Sequence, residues 1–238
     1  MHGHLGDPGR GQHAEVLGAQ RPACRDEFGT AQLRPGQVRD ATASALAALI
    51  TESGGEAVLG GIIPDDRCAL ESALRAALRT SDVIVISAGS SVGARDETAA
   101  AVGRLGPPGI WCHGLAIRPG KPTLLAECAG VPVIGLPGNP RSALVVFRLI
   151  GMPLVRRVGG CSRPPAEPVV RARLERDLAS ATGRLDVVQV RLHDGLAAPV
   201  FGLSALLSIL TAADGYVIVP EEATGLDAGT EVDVTLYR

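Results

Sequence analysis

The run Val83-Ile84-Val85-Ile86 constrains the fold of this chain more than any other feature. Four successive branched apolar residues do not alternate as a half-exposed strand does. They suit a strand covered on both faces, the habit of parallel sheets. Such a strand needs helices on either side, and the flanking sequence supplies them. Ala45, Leu46, Leu49 and Ile50 recur at helical spacing, with Asp40 or Thr42 as N-cap and Gly54-Gly55 as the stop. Asp65 or Asp66 is placed to cap a second helix carrying Leu70, Leu74, Ala77 and Leu78, and a third is expected over 96–105. Apolar runs at 57–59 with 62–63, at 123–126 and at 131–136 read as further strands, the first of them short and buried. Residues 142–158 read as a long closing helix. Strands alternating with helices define an α/β domain, a three-layer α/β/α arrangement on a mostly parallel sheet, over residues 25–160.

The period changes on both sides of that domain. Residues 1–24 are rich in Gly, His, Pro and Arg and show neither helical nor strand period, so an irregular leader is expected. Residues 159–168 form a Gly/Pro-rich linker. Beyond it, short runs at 170–174, 187–192, 199–201, 216–219 and 232–236 read as strands and 203–212 as one short helix. Residues 161–238 are therefore expected to be a small, mainly β C-terminal domain.

In open α/β sheets ligands bind outside the carboxyl ends of the strands, and three loops fall there. Ser87-Ala-Gly89-Ser90-Ser91-Val-Gly93-Ala-Arg-Asp96 joins the apolar strand to a helix. Its backbone N–H groups, hydroxyls and close-approach glycines suit a phosphate or another oxyanion. No G-K-[ST] closes it, so it is not a P-loop. Asp96 reads either as an N-cap or as a Mg²⁺ ligand beside a phosphate. Arg118-Pro119-Gly120-Lys121-Pro122 holds two cations on a stiff turn, which reads as an anion site or as a solvated basic turn. Gly135-Leu-Pro137-Gly138-Asn139-Pro140-Arg141-Ser142 joins a strand to the long helix, with Asn139 placed as its cap and Pro140 in its first turn. Composition sharpens the last two. The chain has one lysine, Lys121, and one asparagine, Asn139, and both sit in these Pro-Gly loops. A chain that uses arginine elsewhere keeps a compact ammonium in one loop. Asp26 with Glu27 and Asp65 with Asp66 are carboxylate pairs suited to a divalent metal. His113 reads as a half-buried, satisfied histidine.

A net charge of −2 gives no basic footprint for nucleic acid and no pull toward a membrane surface. No stretch approaches the roughly 18 uninterrupted apolar residues that span a bilayer, and the N-terminus lacks the apolar core of a secretory signal. The cytoplasm is the expected location. Five cysteines with no C-x-x-C pair indicate scattered reduced thiols.

Read together and in order, these motifs resemble the molybdopterin molybdenumtransferase family, which includes the bacterial MoeA proteins and the gephyrin E domain. The matching stretches are Leu33-Arg-Pro-Gly-Gln-Val-Arg-Asp40, Gly61-Ile-Ile-Pro-Asp65-Asp66, the loop from Ser87 to Asp96, His113-Gly-Leu-Ala-Ile-Arg118-Pro-Gly-Lys121-Pro122 and Gly135-Leu-Pro-Gly-Asn139-Pro140. Gly183-Arg-Leu-Asp-Val-Val-Gln-Val-Arg and Asp214-Gly-Tyr-Val-Ile-Val-Pro-Glu221 resemble the family's C-terminal β domain. The resemblance implies a fold of the molybdenum-cofactor-biosynthesis type. It implies Mg²⁺-dependent insertion of molybdate into adenylylated molybdopterin with release of AMP. Asp65 and Asp96 then match acidic active-site positions and Glu27 a third metal ligand. Lys121, Asn139 and Ser142 would lie around the pterin phosphate or molybdate. The sequence departs from the family pattern at Arg25-Asp26-Glu27-Phe28, where G-D-E-L is usual, and at Asp40-Ala-Thr42, where D-x-N is usual. The resemblance also implies two domains ahead of this stretch. The expected partner is a second copy of the chain or another chain supplying those domains. The alternatives are a molybdopterin adenylyltransferase and a non-catalytic molybdopterin-binding module.

Overall fold

The computed structural model describes residues 40–64, 66–87, 97–163, 165–202 and 207–237 in full and 13–20 as backbone. The first half contains β1 (His13–Gln20), α1 (Ala41–Glu52), β2 (Glu56–Pro64), α2 (Arg67–Ala77), β3 (Val83–Ser87), α3 (Glu97–Val102), β4 (Pro108–His113), β5 (Ile117–Arg118), β6 (Leu124–Cys128) and β7 (Val131–Leu136). Six strands form one sheet in the order β2-β1-β3-β7-β6-β4. The β1–β2, β1–β3 and β3–β7 pairs are parallel. The β6–β7 and β4–β6 pairs are antiparallel. The reversal follows from the connection: Ala129 and Gly130 form a two-residue loop with φ of 51° and 83°. Positive φ at both positions marks the tight hairpin turn whose twist matches the strands, and so short a loop cannot cross over to a parallel neighbour.

β3 is buried along its whole length, as the apolar run requires. Ile84 and Ile86 pack with Leu70, Leu74 and Ala77 of α2 and with Ala101 and Val102 of α3. Val83 and Val85 point the other way, onto Leu46 and Ile50 of α1 and onto Val146, Phe147, Met152 and Val155. Alternate side chains of one strand thus feed two cores, which is the three-layer α/β/α arrangement. Local signals set two helix starts. Asp40 accepts from the Thr42 and Ala43 amides at 3.0 Å, and Asp66 accepts from Ala69 at 2.9 Å.

Two expectations for this half are overturned. The stretch expected to be an irregular leader contributes β1, which lies between β2 and β3. Ala14 pairs with Ala57 on one side and with Val83 on the other. Strand formation here is set by ladders on both flanks rather than by the segment's own weak propensity. The 57–63 run is not a buried strand. Among the described residues it is the outermost strand, with a neighbour on one side only, and Val58 and Leu59 are exposed. α3 is also shorter than expected, ending at Val102.

The long closing helix is present with one irregularity. α4 (Pro140–Val146) runs into a π-helical turn, Phe147–Gly151, and then into α5 (Met152–Val158). Met152 donates to the Phe147 carbonyl, one residue wider than an α-turn. Pro153 has no N–H, and its ring would press on the carbonyl four residues earlier; a widened turn relieves that contact. Gly151 lies flat against Phe147, and a Cβ there would strike the phenyl ring.

The second half holds β8 (Val169–Leu174), β9 (Leu178–Ala179), β10 (Leu185–His193), β11 (Leu196–Pro199), α6 (Ser208–Ala212), β12 (Gly215–Val219), β13 (Gly225–Leu226) and β14 (Glu231–Leu236). Its strands run β11-β8-β14-β12-β10, and a β10–β11 pairing closes the ring. The interior is filled by Leu174, Val190, Val217, Val219 and Val234. The strand expected at 199–201 falls earlier, at β11. β9 and β13 form a separate ribbon.

The two halves are laced together. β5, from the first half, adds to β10 with Ile117 opposite Leu185 and Arg118 opposite Asp186. Glu167, in the segment read as a linker, lies 3.5 Å from Arg148 and accepts from the Tyr216 hydroxyl at 3.0 Å. Arg148 also donates to the Leu236 carbonyl at 3.2 Å and stands over the Tyr237 ring at 5.0 Å. Burial, and then the Glu167 carboxylate, push the Tyr216 pKa up to about 12. The same phenol ionises near 10 in an unfolded chain. The stability it contributes is whole below about pH 10 and is lost as pH rises through 12, a loss of at most about 3 kcal/mol. Urea unfolding followed from pH 9 to 12 should show this decline in the wild type and a shallower one in Tyr216→Phe. Tyr237, whose pKa burial also raises, keeps the variant's curve from being flat.

Candidate active site

The sheet register brings the candidate loops to one edge. Gln20 pairs with Pro64, Gly18 with Ser87, and Ser87 with Leu136. Four parallel strands, β2, β1, β3 and β7, therefore end side by side, and residues 65, 88 and 137 follow in sequence from the ends of three of them. On the antiparallel side Gly135 pairs with Leu124 and Leu124 with His113, so residues 114–123 leave the sheet at the same edge. Ser87 itself is buried. Glu27, Asp65, Gly89, Ser90, Ser91, Gly93 and Asp96 lie outside the described residues. Of the Asp65-Asp66 pair, the described member is a helix cap.

The Arg118–Lys121 turn is rigid for identifiable reasons. Pro119 and Gly120 are buried and Lys121 is exposed. Thr123, itself buried, donates its hydroxyl to the Gly120 carbonyl at 2.6 Å. The Lys121 carbonyl accepts from the Leu115 and Thr123 amides at 2.8 and 2.9 Å. Gly120 has φ 128° and lies so close to Val146 of α4 that a Cβ would collide with it. Only glycine meets both demands. The consequence is a lysine held outward at the carboxyl edge on a turn that packs on α4.

Arg118, the other cation of this turn, has a carboxylate partner. It lies 3.4 Å from Asp186, a buried carboxylate that Arg184 also contacts at 3.0 Å. Asp186 is a residue that motif reading passed over. Its sequence signal was present, since it stands in Gly183-Arg-Leu-Asp, but its role arises only when β5 pairs with β10.

In the third loop Pro137 is buried while Gly138 and Asn139 are exposed. Asn139 occupies the N-cap position of α4, yet its side chain makes no capping hydrogen bond; its carbonyl accepts from Ala143 at 3.0 Å instead. Pro140 fills the first helical position, where its absent N–H costs nothing. Ser142 is buried within the first turn. His113 is exposed rather than half-buried, because β4 is the outermost strand on its side. Among the described residues no group of three or more His, Cys, Asp or Glu side chains is arranged to hold a metal. Cys68, Cys112, Cys128 and Cys161 are free thiols. No helix of the described residues is long and apolar enough to cross a membrane.

Such an architecture defines a class: an α/β/α domain with anion-suited loops at the carboxyl edge of its sheet, followed by a small closed β module. Residues 25–157 match the family described as "Probable molybdopterin binding domain", and residues 171–237 match the "MoeA C-terminal region (domain IV)". The chain belongs to the MoeA family of molybdopterin-binding proteins. A molybdopterin molybdenumtransferase from a Nostoc species is 35% identical over 169 residues, which is 69% of this chain and 38% of that relative. One from Haemophilus influenzae is 29% identical over 212 residues, 87% of this chain and 52% of the relative. The crystal structure of a molybdopterin biosynthesis MoeA protein from Pyrococcus horikoshii superposes with a TM-score of 0.81 at 34% identity, over 96% of this chain and 55% of that one. The chain thus spans about half the length of the relatives it matches.

Proposed function

We propose that this chain carries the pterin-binding part of a molybdopterin molybdotransferase, which inserts molybdate into adenylylated molybdopterin with Mg²⁺ and releases AMP. The observation that carries the reading is the convergence of the chain's candidate loops on one sheet edge, with Ser87 beside Leu136 in the ladder and the Lys121 turn next to both. In this reading the loop from Ser87 with Gly89, Ser90, Ser91 and Gly93 holds a phosphate through backbone amides and hydroxyls. Lys121, with Asn139 and Ser142 across from it, fixes the second anion, and Pro119, Gly120, Pro137, Gly138 and Pro140 keep those groups in place. Glu27, Asp65 and Asp96 form a hard-oxygen donor set of the kind Mg²⁺ takes. Support for that set is topological: the strands that precede all three residues end at the same edge. The metal would act as a Lewis acid on the phosphoanhydride. Holding two anions in fixed register makes their reaction effectively unimolecular, which is the protein's main contribution. The active assembly is a homodimer, or a complex with a second chain, working in the cytoplasm.

The test is molybdate-dependent release of AMP from adenylylated molybdopterin, by the chain alone and with a chain carrying the remaining domains. Asp96→Ala is expected to lower the rate at least a hundredfold. Wild-type turnover by Asp96→Ala would remove that carboxylate from the metal site. ATP-dependent adenylylation of molybdopterin would replace the reading with an adenylyltransferase.

A further inference from the structure

α4 carries an arginine that the reading above leaves without a task. Arg141 lies one residue before the buried Ser142, at the start of a helix on which the Lys121 turn packs through Gly120 and Val146. One guanidinium nitrogen donates to the Gly202 carbonyl at 3.2 Å. The Nε is buried and has no hydrogen-bond partner among the described residues. The charge of Arg118 is met by Asp186 at 3.4 Å, whereas among the described residues no carboxylate is paired with Arg141. Burial first, and Arg118 second, push its pKa down from the ordinary arginine value, and the opposing influence is the Tyr237 phenol. An arginine stays charged under all ordinary conditions. A half-buried guanidinium with an idle donor and a like charge beside it is therefore held in an unfavourable setting, of the kind that an incoming anion relieves.

We propose that Arg141 is a binding residue of this chain for a dense, multiply charged oxyanion, held between the start of α4 and the Arg118–Lys121 turn that packs on the same helix. The inference rests on the molybdotransferase reading and adds to it a recognition residue on the helix that follows the Asn139 loop. The planar fork of the guanidinium is suited to tetrahedral oxyanions, whose oxygens take two parallel hydrogen bonds. Lys121 supplies the point charge; Arg141 supplies direction.

Titration calorimetry of the full chain with sodium molybdate, at matched ionic strength, tests the inference. Arg141→Gln is expected to weaken binding tenfold or more. Arg171→Gln, which removes an exposed arginine on β8, should leave it unchanged. Arg141→Met separates a binding role from a structural one. It keeps apolar bulk and removes the opposed charge, so its melting temperature without anion should equal or exceed that of the wild type, while the rise produced by molybdate is lost. Wild-type affinity in Arg141→Gln and Arg141→Met overturns the proposal and leaves the functional reading standing. A lowered melting temperature with unchanged affinity assigns Arg141 to the Gly202 contact alone and also overturns it. An equal loss in Arg171→Gln would reduce the effect to bulk charge. Absence of binding by the wild type overturns the inference and the oxyanion reading together.

Discussion

Gly120→Val is expected to lower the unfolding free energy by about 3 kcal/mol and to weaken anion binding more than tenfold. Two costs add at this position. A β-branched residue at φ 128° sits where L side chains are strained, a cost of about 1–3 kcal/mol. The new side chain would also enter space held by Val146 and by Ile117, whose nearest methyl is 3.2 Å from where a Cβ would be. Overpacking of that kind costs about 1–3 kcal/mol. The chain has an escape, which is to swing the turn away from α4. That relieves the clash but moves Lys121 and Arg118 together, so a variant that keeps its stability should lose its ligand. Urea unfolding and molybdate calorimetry on the same preparation check both arms, and a variant unchanged in both measurements would contradict the packing described for this turn.

Phe147→Ala is the second large effect, with an expected loss of about 3–5 kcal/mol, the usual cost of emptying a fully buried aromatic site. Phe147 is among the largest fully buried side chains of the molecule and stands where α1, β3, β7 and the π-turn meet. Its ring also accounts for Gly151, which has no space for a methyl group. Gly151→Ala in the wild type should therefore destabilise. The same change in a Phe147→Ala background should be nearly free, or should recover stability by filling part of the cavity. A double-mutant cycle reads this as a coupling of about 1–3 kcal/mol. Additive behaviour would mean that the ring does not set the requirement for glycine.

Those two positions also show what sequence reading could and could not reach. Val83–Ser87 was legible because full burial leaves a compositional mark. The caps at Asp40 and Asp66 were legible because a cap is a local signal within four residues of its partner amides. β1 was not legible. Its segment includes Gly18, Glu15 and His13, and the pairing that makes it a strand comes from β2 and β3, tens of residues away. Exposure of β2 and β4 was hidden for the same reason, since edge position is a property of the sheet. The turns after Arg118 and Leu136 were legible as loops, because Pro-Gly pairs punctuate them; the loop after Ser87 lies outside the described residues. Which of their charges is spoken for depends on register, and so Asp186 went unseen. The π-turn has no pattern of its own; Pro153 and Gly151 inside a helical period were its only trace.

β5 has a consequence for anyone who recombines these modules. It is a two-residue strand from the first half that completes the sheet of the second, and its Arg118 finds its carboxylate 68 residues downstream. The turn that holds Lys121 is thus joint property. A barrel grafted from a distant relative would be a competent barrel, yet it would misplace the lysine unless it brought both an edge free to accept β5 and an acid opposite Arg118. The placement of that lysine is in that sense a feature of the seam, and the two halves can change only in step.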